Sequence, residues 1–323
     1  MTSTFTPPAP LQTAVLFLVF NRPDTTAQVF EAIRQAKPPR LYVAADGPRE
    51  GREGEAGRVA KVREIATAVD WSCEVKTLFR EENLGCKYAV SGAINWFFEQ
   101  EEQGVILEDD CLPHSDFFPF CESLLARYLD DLRVTTITGQ NFQKGRWRGE
   151  GSYYFSKYNH CWGWATWRRA WEHYQGELPF WAEWKSSPDW FQRMPLKKER
   201  DYWTQIFDQV AAGQIDSWAY PWTGSVWFHG GLTATPNVNL ISNIGFGPKS
   251  THTAESNSPL AALPTYPLGE IIHPQPVARD SAADKFVFKS VYGGQSSTFT
   301  YRSRRFSKRI LSAVRRRLAN PKL

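Results

Sequence analysis

Three consecutive acids, Glu108, Asp109 and Asp110, follow a short apolar segment at 105–107. Three carboxylates this close together repel one another unless a cation lies among them. Oxygen ligands suit Mg²⁺ or Mn²⁺, which bind a few protein carboxylates together with substrate phosphates. The alternative is a solvated acidic turn. If the segment is a strand of a parallel sheet, its carboxyl end is where such sheets bind ligands, which favours a metal site.

Polar clusters follow three other apolar segments in the first half of the chain. The first precedes a predicted helix, whose N-terminus and arginine could bind an anion. The second carries an acid that could accept a hydrogen bond from a nucleobase or a ribose. Any one cluster could be an ordinary turn, but clusters at four successive strand ends would share one edge of a sheet. The candidate ligand-binding residues are Asn21, Arg22, Asp46, Arg49, Asn83 and Lys87.

The segments around these clusters alternate between strand and helix patterns. Such alternation predicts an α/β fold, with a mostly parallel sheet covered on both faces. After residue 140 the pattern becomes less regular. The predicted strands are 14–20, 41–45, 73–79, 105–107 and 134–138, and the predicted helices are 23–35, 59–69, 87–100, 117–129, 164–174 and 200–212.

Composition limits the function further. A chain of 323 residues forms one large domain or two ordinary ones, and its 42% hydrophobic and 22% charged residues exclude wholesale disorder. The net charge of +4 is uneven, because residues 301–323 carry nine basic residues and no acid. The remaining 29 basic and 34 acidic residues give residues 1–300 a net charge of −5, which argues against a nucleic-acid-binding body. The five cysteines, odd in number and without C-x-x-C spacing, predict buried thiols in a reducing compartment.

The motifs resemble those of a known family. In this order they are similar to GT-A-fold nucleotide-diphospho-sugar glycosyltransferases, in particular bacterial relatives of the Golgi N-acetylglucosaminyltransferase that initiates complex N-glycans. The metal motif of that enzyme is also Glu-Asp-Asp. The resemblance covers roughly 13–255 and rests on Phe-Asn-Arg-Pro at 20–23, Asp-Gly-Pro-Arg at 46–49, Glu-Asn-Leu-Gly-Cys at 82–86, Ile-Leu-Glu-Asp-Asp at 106–110, Trp-Gly-Trp-Ala-Thr-Trp at 162–167, Pro-Asn-Val-Asn-Leu-Ile-Ser-Asn-Ile-Gly-Phe-Gly at 236–247 and Thr-His-Thr at 251–253.

The resemblance implies a GT-A, Rossmann-like fold, with a mostly parallel sheet flanked by helices and a mixed C-terminal half on the acceptor side. The expected organisation is a leader at 1–12, a nucleotide-binding half at 13–139, an acceptor half at 140–255, a surface-wrapping extension at 256–300 and a basic amphipathic tail at 301–323.

The resemblance also implies roles for the candidate residues, with Mn²⁺ or Mg²⁺ as the cofactor. Asp110 matches the direct metal ligand, accompanied by Glu108 and by His252, the late histidine that many such enzymes bring to the metal. Asp109 matches the acid near the ribose and the metal. Asp46 would hold the uracil or its ribose, and Arg22 would hold the diphosphate.

The catalytic base is less clearly indicated. The family pattern implies an aspartate at position 219, where this sequence has Ala219. Asp216 is the nearest substitute and Asp201 the next. If neither serves, the enzyme is retaining or has lost its activity. Four tryptophans could stack on acceptor sugars or could pack in the core, and the core interpretation is favoured for each: Trp164, Trp167, Trp218 and Trp222.

These features predict a metal-dependent, inverting hexosyl- or N-acetylhexosaminyl-transferase. It would move a sugar from a UDP-sugar to a saccharide or lipid-linked acceptor in polysaccharide biosynthesis, in the cytoplasm. The alternatives are a non-catalytic glycan-binding protein on the same fold and a sugar nucleotidyltransferase, although the absence of glycine from 14–30 counts against the latter.

The basic tail at 301–323 has an apolar stripe with a four-residue repeat, formed by Phe306, Ile310, Val314 and Leu318. This pattern is typical of a helix that lies on an anionic membrane, here the inner face. The alternatives are a frayed basic terminus and a helix that docks on the acidic body.

Overall fold

A computed structural model describes residues 11–246 and 258–293. The first part of the chain alternates strands and helices as expected. The elements are β1 (Val15–Val19), α1 (Pro23–Ala36), β2 (Arg40–Ala45), α2 (Glu55–Ala66), β3 (Glu74–Phe79), α3 (Gly85–Phe98) and β4 (Gln103–Glu108).

The rest of the chain adds strands to the same sheet and inserts several short helices. The elements are β5 (Cys111–Pro113), α4 (Phe117–Arg127), β6 (Val134–Thr138), β7 (Tyr153–Ser156), β8 (Trp164–Trp167), α5 (Arg168–Trp171), α6 (Trp181–Trp184), α7 (Pro188–Arg193), α8 (Lys197–Ala211), α9 (Ala219–Phe228), β9 (Leu232–Pro236), β10 (Ile241–Asn243), α10 (Ser281–Val287) and a π-helical turn (Phe288–Tyr292).

The main sheet has eight strands in the order β3-β2-β1-β4-β8-β6-β9-β7. Six strands share one direction, and β8 and β7 run against them. The predicted α/β fold with a mostly parallel sheet is therefore confirmed. A separate antiparallel pair joins β5 to β10, which brings residues 241–243 beside the segment that directly follows the three acids.

Alternate residues of the central strand β1 enter different cores. Val15, Phe17 and Val19 pack into one apolar cluster, and Leu16 and Leu18 pack into the other. This alternation follows from the two-residue period of a strand, with helices covering both faces of the sheet. The uninterrupted apolar run in the sequence is therefore explained by a strand that is buried on both sides.

The helix predicted at 164–174 is wrong. Residues Trp164–Trp167 form strand β8, and only Arg168–Trp171 is helical. β8 pairs with β4 on one side and β6 on the other, and tryptophan and threonine favour strands. The three-residue spacing of the two tryptophans imitates a helical pattern, but pairing on both edges determines the outcome.

The five cysteines are all free thiols. Cys111 and Cys121 are buried, whereas Cys73, Cys86 and Cys161 are partly exposed. The prediction of buried thiols is thus correct for two positions and wrong for three, because the latter lie near the ends of elements rather than inside them.

Three predicted features lie wholly or largely outside the described residues: the leader at 1–12, His252 and the basic tail at 301–323. Within the described ranges, no helix has the length and apolar character needed to cross a membrane.

Candidate active site

The three acids and Arg22 come together at the carboxyl edge of the sheet. Glu108 ends β4, Arg22 immediately precedes α1, and the two connections are adjacent because β1 pairs with β4. The Arg22 guanidinium donates to Asp109 and forms an ion pair with Asp110, with 2.9 Å between Arg22 Nη1 and Asp110 Oδ2. The Phe20 amide also donates to Asp109 Oδ2, at 3.2 Å.

This cluster carries more negative charge than Arg22 can neutralise. Burial, followed by the charges of Asp110 and Asp109, raises the pKa of Glu108 to about 8, against Arg22 and a hydrogen bond from Trp218. Burial also raises the pKa of Asp109, although Arg22 opposes that shift. For Arg22, burial alone would lower the pKa, but the charges of Asp109 and Asp110 raise it above its ordinary value.

The segment after β10 closes one side of the cluster. The Ile244 amide donates to the Asp110 carbonyl at 2.8 Å, and the Gly245 amide donates to Asn243 Oδ1 at 3.0 Å. A Cβ atom at Gly245 would lie 2.1 Å from Asp110 Oδ2 and 2.5 Å from Arg22 Nη1. Only glycine allows the backbone to approach the pair this closely.

The cluster fits a hard divalent cation. Asp109 and Asp110 offer adjacent carboxylates, and the pKa values of Glu108 and Asp109 are raised chiefly by burial, against the positive charge of Arg22. Among residues 11–246 and 258–293, no three His, Cys, Asp or Glu side chains are arranged to hold a metal ion by themselves. Mg²⁺ commonly binds one or two carboxylates plus substrate phosphates, so two protein ligands are compatible with a substrate-completed site.

Asp46 organises the turn between β3 and α3. Its carboxylate accepts hydrogen bonds from the amides of Gly47, Leu84 and Gly85 and from the side chain of Asn83, at 2.9 to 3.1 Å. A carboxylate has about four acceptor positions, and these four donors occupy them. The nucleoside contact predicted for Asp46 stays a prediction, and Asn83 likewise serves this turn.

Asp216 lies at the N-terminus of α3, next to the turn that Asp46 organises. It is exposed, and its Oδ1 accepts from the Lys87 amide at 2.9 Å. A Cβ atom at Gly85 would lie 3.1 Å from Asp216 Oδ2, so the carboxylate passes close to the start of α3. The Lys87 side chain points to Glu177, with 2.6 Å between Nζ and Oε1. Of the two candidate bases, Asp216 is therefore the one that contacts a candidate binding residue at the carboxyl edge of the sheet, Lys87.

The other candidate base, Asp201, lies on the outer face of α8. Its side chain is exposed and pairs with Lys197 at 2.7 Å. No contact joins it to the acids after β4 within the part of the chain that the structure describes.

Asn21 and Arg49 meet on a buried acid that the sequence analysis missed. Glu55 Oε2 accepts from Asn21 at 2.8 Å, and Glu55 Oε1 accepts from the Arg49 amide at 2.8 Å. Arg49 also lies over the Phe20 ring, 5.4 Å from its centroid. The hydrogen bond and charge of Arg49 lower the pKa of Glu55 to about 2, against burial. Its sequence signal is weak because it lies in a Gly-rich, charged stretch outside every predicted strand and helix.

The four candidate stacking tryptophans are core residues. Trp164, Trp167, Trp218 and Trp222 are each at most 2% exposed, so none can form the floor of an open acceptor site. Trp218 instead stacks on Trp164, with 5.5 Å between ring centroids, and donates to Glu108.

Comparison with known proteins adds little. No protein-family description matches this chain, and no curated protein is similar to it. There is distant structural similarity to a UDP-glucose pyrophosphorylase complexed with UDP-glucose, at 11% identity and a TM-score of 0.26 over 50% of this chain and 71% of that one. An apo UDP-glucose pyrophosphorylase shares 11% identity at a TM-score of 0.29, over 70% of this chain and 90% of that one. Similarity of this extent assigns neither a substrate nor a reaction.

Proposed function

We propose that this protein is a glycosyltransferase that uses a nucleotide-diphosphate sugar, with a UDP-sugar as the favoured donor. The observation that carries the proposal is the charged cluster at the carboxyl edge of β1 and β4. Two carboxylates, Asp109 and Asp110, lie there within reach of one guanidinium, Arg22. Open α/β sheets bind ligands at this edge, and a diphosphate with its cation matches the charges on offer.

The donor would bind through the residues of this cluster. Asp109 and Asp110 would hold Mn²⁺ or Mg²⁺, with Glu108 and His252 as further candidate ligands, and Arg22 would hold the diphosphate. Bound there, the ion would neutralise charge on the departing nucleoside diphosphate. Asn21 and Arg49, fixed by Glu55, and Lys87, at the start of α3, would border the nucleotide.

Asp216 is the proposed general base of an inverting reaction. Its exposed carboxylate keeps Oδ2 available while Oδ1 is held by the Lys87 amide. A base in this place would take the proton of the acceptor hydroxyl as the sugar–phosphate bond breaks.

Binding and turnover should separate these roles. In calorimetric titrations, wild-type protein should bind UDP in the presence of Mn²⁺, and Asp110→Ala should not. Asp216→Asn should keep that affinity and lower turnover by roughly 10²- to 10⁴-fold. Asp70→Asn is the matched control, because Asp70 is also an exposed acid but pairs with Arg34 and lies before β3, at the opposite end of that strand from the candidate site. Equal UDP affinity of wild type and Asp110→Ala would overturn the proposed donor site.

We further propose that the acceptor is a saccharide or a lipid-linked glycan. The basic tail would hold the enzyme against the anionic inner face of the membrane. The full chain should then float with anionic vesicles and not with neutral ones, and a chain that ends at Tyr301 should not float. Equal flotation of both chains would refute the proposed role of the tail in membrane binding.

A further inference from the structure

A concave surface lies between α8 and the short helices α6 and α7, apart from the candidate active site. It is an open groove of about 520 Å³, within the size range of ligand sites. One wall is a single face of α8, from Asp201 through Gln205 to Gln209, which extends for about 12 Å. The groove is therefore longer than one hexose ring. None of the residues proposed above for donor binding contributes to it.

The groove is electrically balanced and its charged groups are engaged. Its lining has two cations and two anions. Lys185 pairs with Asp208 at 3.0 Å, Asp201 pairs with Lys197 at 2.7 Å, and Arg200 donates to a backbone carbonyl at 2.8 Å. Such a surface does not favour a phosphate, a nucleotide or a polyanion.

Uncharged hydrogen-bonding groups remain available in the groove. The side chains of Thr204, Gln205, Gln209 and Gln214 line it and make no hydrogen bond to any residue that the structure describes. Each amide offers two donors and an acceptor, and the hydroxyl offers both. These groups match the neighbouring hydroxyls of a neutral sugar chain.

An exposed aromatic ring completes the surface. Phe191 is 48% exposed, and Arg200 lies over its ring at 4.7 Å from the centroid. The guanidinium holds the ring at the groove, beside the buried Trp190. An aromatic ring that is partly open to solvent offers an apolar face to the C–H face of a sugar, while the amides satisfy its hydroxyls.

One end of the groove approaches the candidate base. Gln214 lines the groove and lies two residues before Asp216, so their Cα atoms are at most about 7 Å apart. We propose that the groove binds a neutral oligosaccharide, namely the acceptor chain, and directs its end toward Asp216. The acceptor role rests on the proposed function, whereas oligosaccharide binding does not.

Binding to a panel of neutral oligosaccharides tests the proposal. The panel contains hexose, N-acetylhexosamine and deoxyhexose polymers as mono-, tri- and hexasaccharides, titrated against the full chain without nucleotide. A hexasaccharide should bind more tightly than its monosaccharide. Phe191→Ala should weaken that binding roughly tenfold, equal to about 1.4 kcal/mol. The double variant Gln205→Ala/Gln209→Ala should weaken it similarly.

Tyr266→Ala is the matched control, because Tyr266 is equally exposed at 53% and lies outside the groove. It should bind like wild type, and all variants should keep the same UDP affinity. The proposal is overturned if no oligosaccharide binds, or if Phe191→Ala and the glutamine variant both bind like wild type. Oligosaccharide binding without UDP binding would support the groove as an oligosaccharide site and refute the proposed donor site. Transfer to a long acceptor that Phe191→Ala leaves unaltered in KM would refute the acceptor role.

Discussion

Replacing Gly245 with alanine tests the candidate site without changing any charge. The new Cβ would lie 2.1 Å from Asp110 Oδ2, 2.6 Å from Asp110 Cβ and 2.5 Å from Arg22 Nη1. Real Cβ contacts essentially never fall below 3.0 Å, so the Asp110 carboxylate must retreat by at least about 0.9 Å. Rotating the carboxylate does not suffice, because the Cβ of Asp110 is also too close.

We expect two consequences of this overlap. Gly245→Ala should lose about 1–3 kcal/mol of unfolding free energy, as overpacked sites do. It should also bind UDP with Mn²⁺ roughly 10- to 100-fold more weakly, which corresponds to the loss of one hydrogen bond to a charged group, about 1.5–3 kcal/mol. Urea denaturation measures the first effect and calorimetric titration the second.

Gly57→Ala is the control for this substitution. Gly57 lies in α2, and a Cβ there would meet no atom within 4 Å. Alanine at this position should cost no stability, because it suits a helix better than glycine, and UDP affinity should not change. If Gly245→Ala binds UDP as tightly as Gly57→Ala, the reasoning that connects Asp110 and Arg22 to the donor is refuted.

Three further substitutions test the account elsewhere. Asp46→Asn should lower the free energy of unfolding by about 1–3 kcal/mol in urea denaturation, because one of the two oxygens that accept from the backbone amides at the start of α3 is replaced by a donor. Unchanged stability would contradict that role. Lys157→Met should lower the free energy of unfolding by about 3–5 kcal/mol, because it removes the cation that lies 2.7 Å from the buried Glu199 carboxylate. The double variant Lys157→Met/Glu199→Gln should recover most of that loss. Burial raises the pKa of the Glu108 carboxyl from 4.5 to about 8. The free energy of unfolding that this carboxyl contributes is therefore fully present below pH 4.5 and is lost as the pH rises through about 8. The Tm of the metal-free protein should therefore fall more steeply with rising pH than the Tm of Glu108→Gln. Identical profiles of Tm against pH would contradict the shift in the pKa of Glu108.

The site formed by Arg22, Asp109 and Asp110 could be predicted from the sequence because it depends on local patterns. An apolar run that ends in polar residues places those residues at the carboxyl edge, and the parallel order of β1, β2 and β4 then assembles them. This reasoning connects Arg22 with Asp109 and Asp110 from the order of the residues alone. The same reasoning could not find Glu55, whose importance comes from burial beneath Asn21 and Arg49 and not from a pattern in the sequence.

Other parts depended on tertiary contacts that the sequence does not display. β8 is a strand because β4 and β6 both pair with it, whereas its tryptophan spacing imitates a helix. The hydrogen bonds that Asp46 accepts from the amides of Leu84 and Gly85 likewise come from a turn that is distant in the sequence. The positions of Asp216 beside α3 and of Asp201 on α8 depend on how these helices pack, which the sequence does not display.

Product analysis of a UDP-sugar panel distinguishes sugar transfer from nucleotidyl transfer and from binding without turnover. The protein is incubated with each donor and Mn²⁺, with and without an oligosaccharide acceptor and with and without pyrophosphate. We expect UDP and a glycosylated acceptor to form from at least one donor, pyrophosphate to have no part in the reaction and Asp110→Ala to form neither product. Formation of UTP and a sugar phosphate only when pyrophosphate is present would identify a nucleotidyltransferase, and the absence of turnover with every donor would identify a non-catalytic binder. Either result would contradict the account.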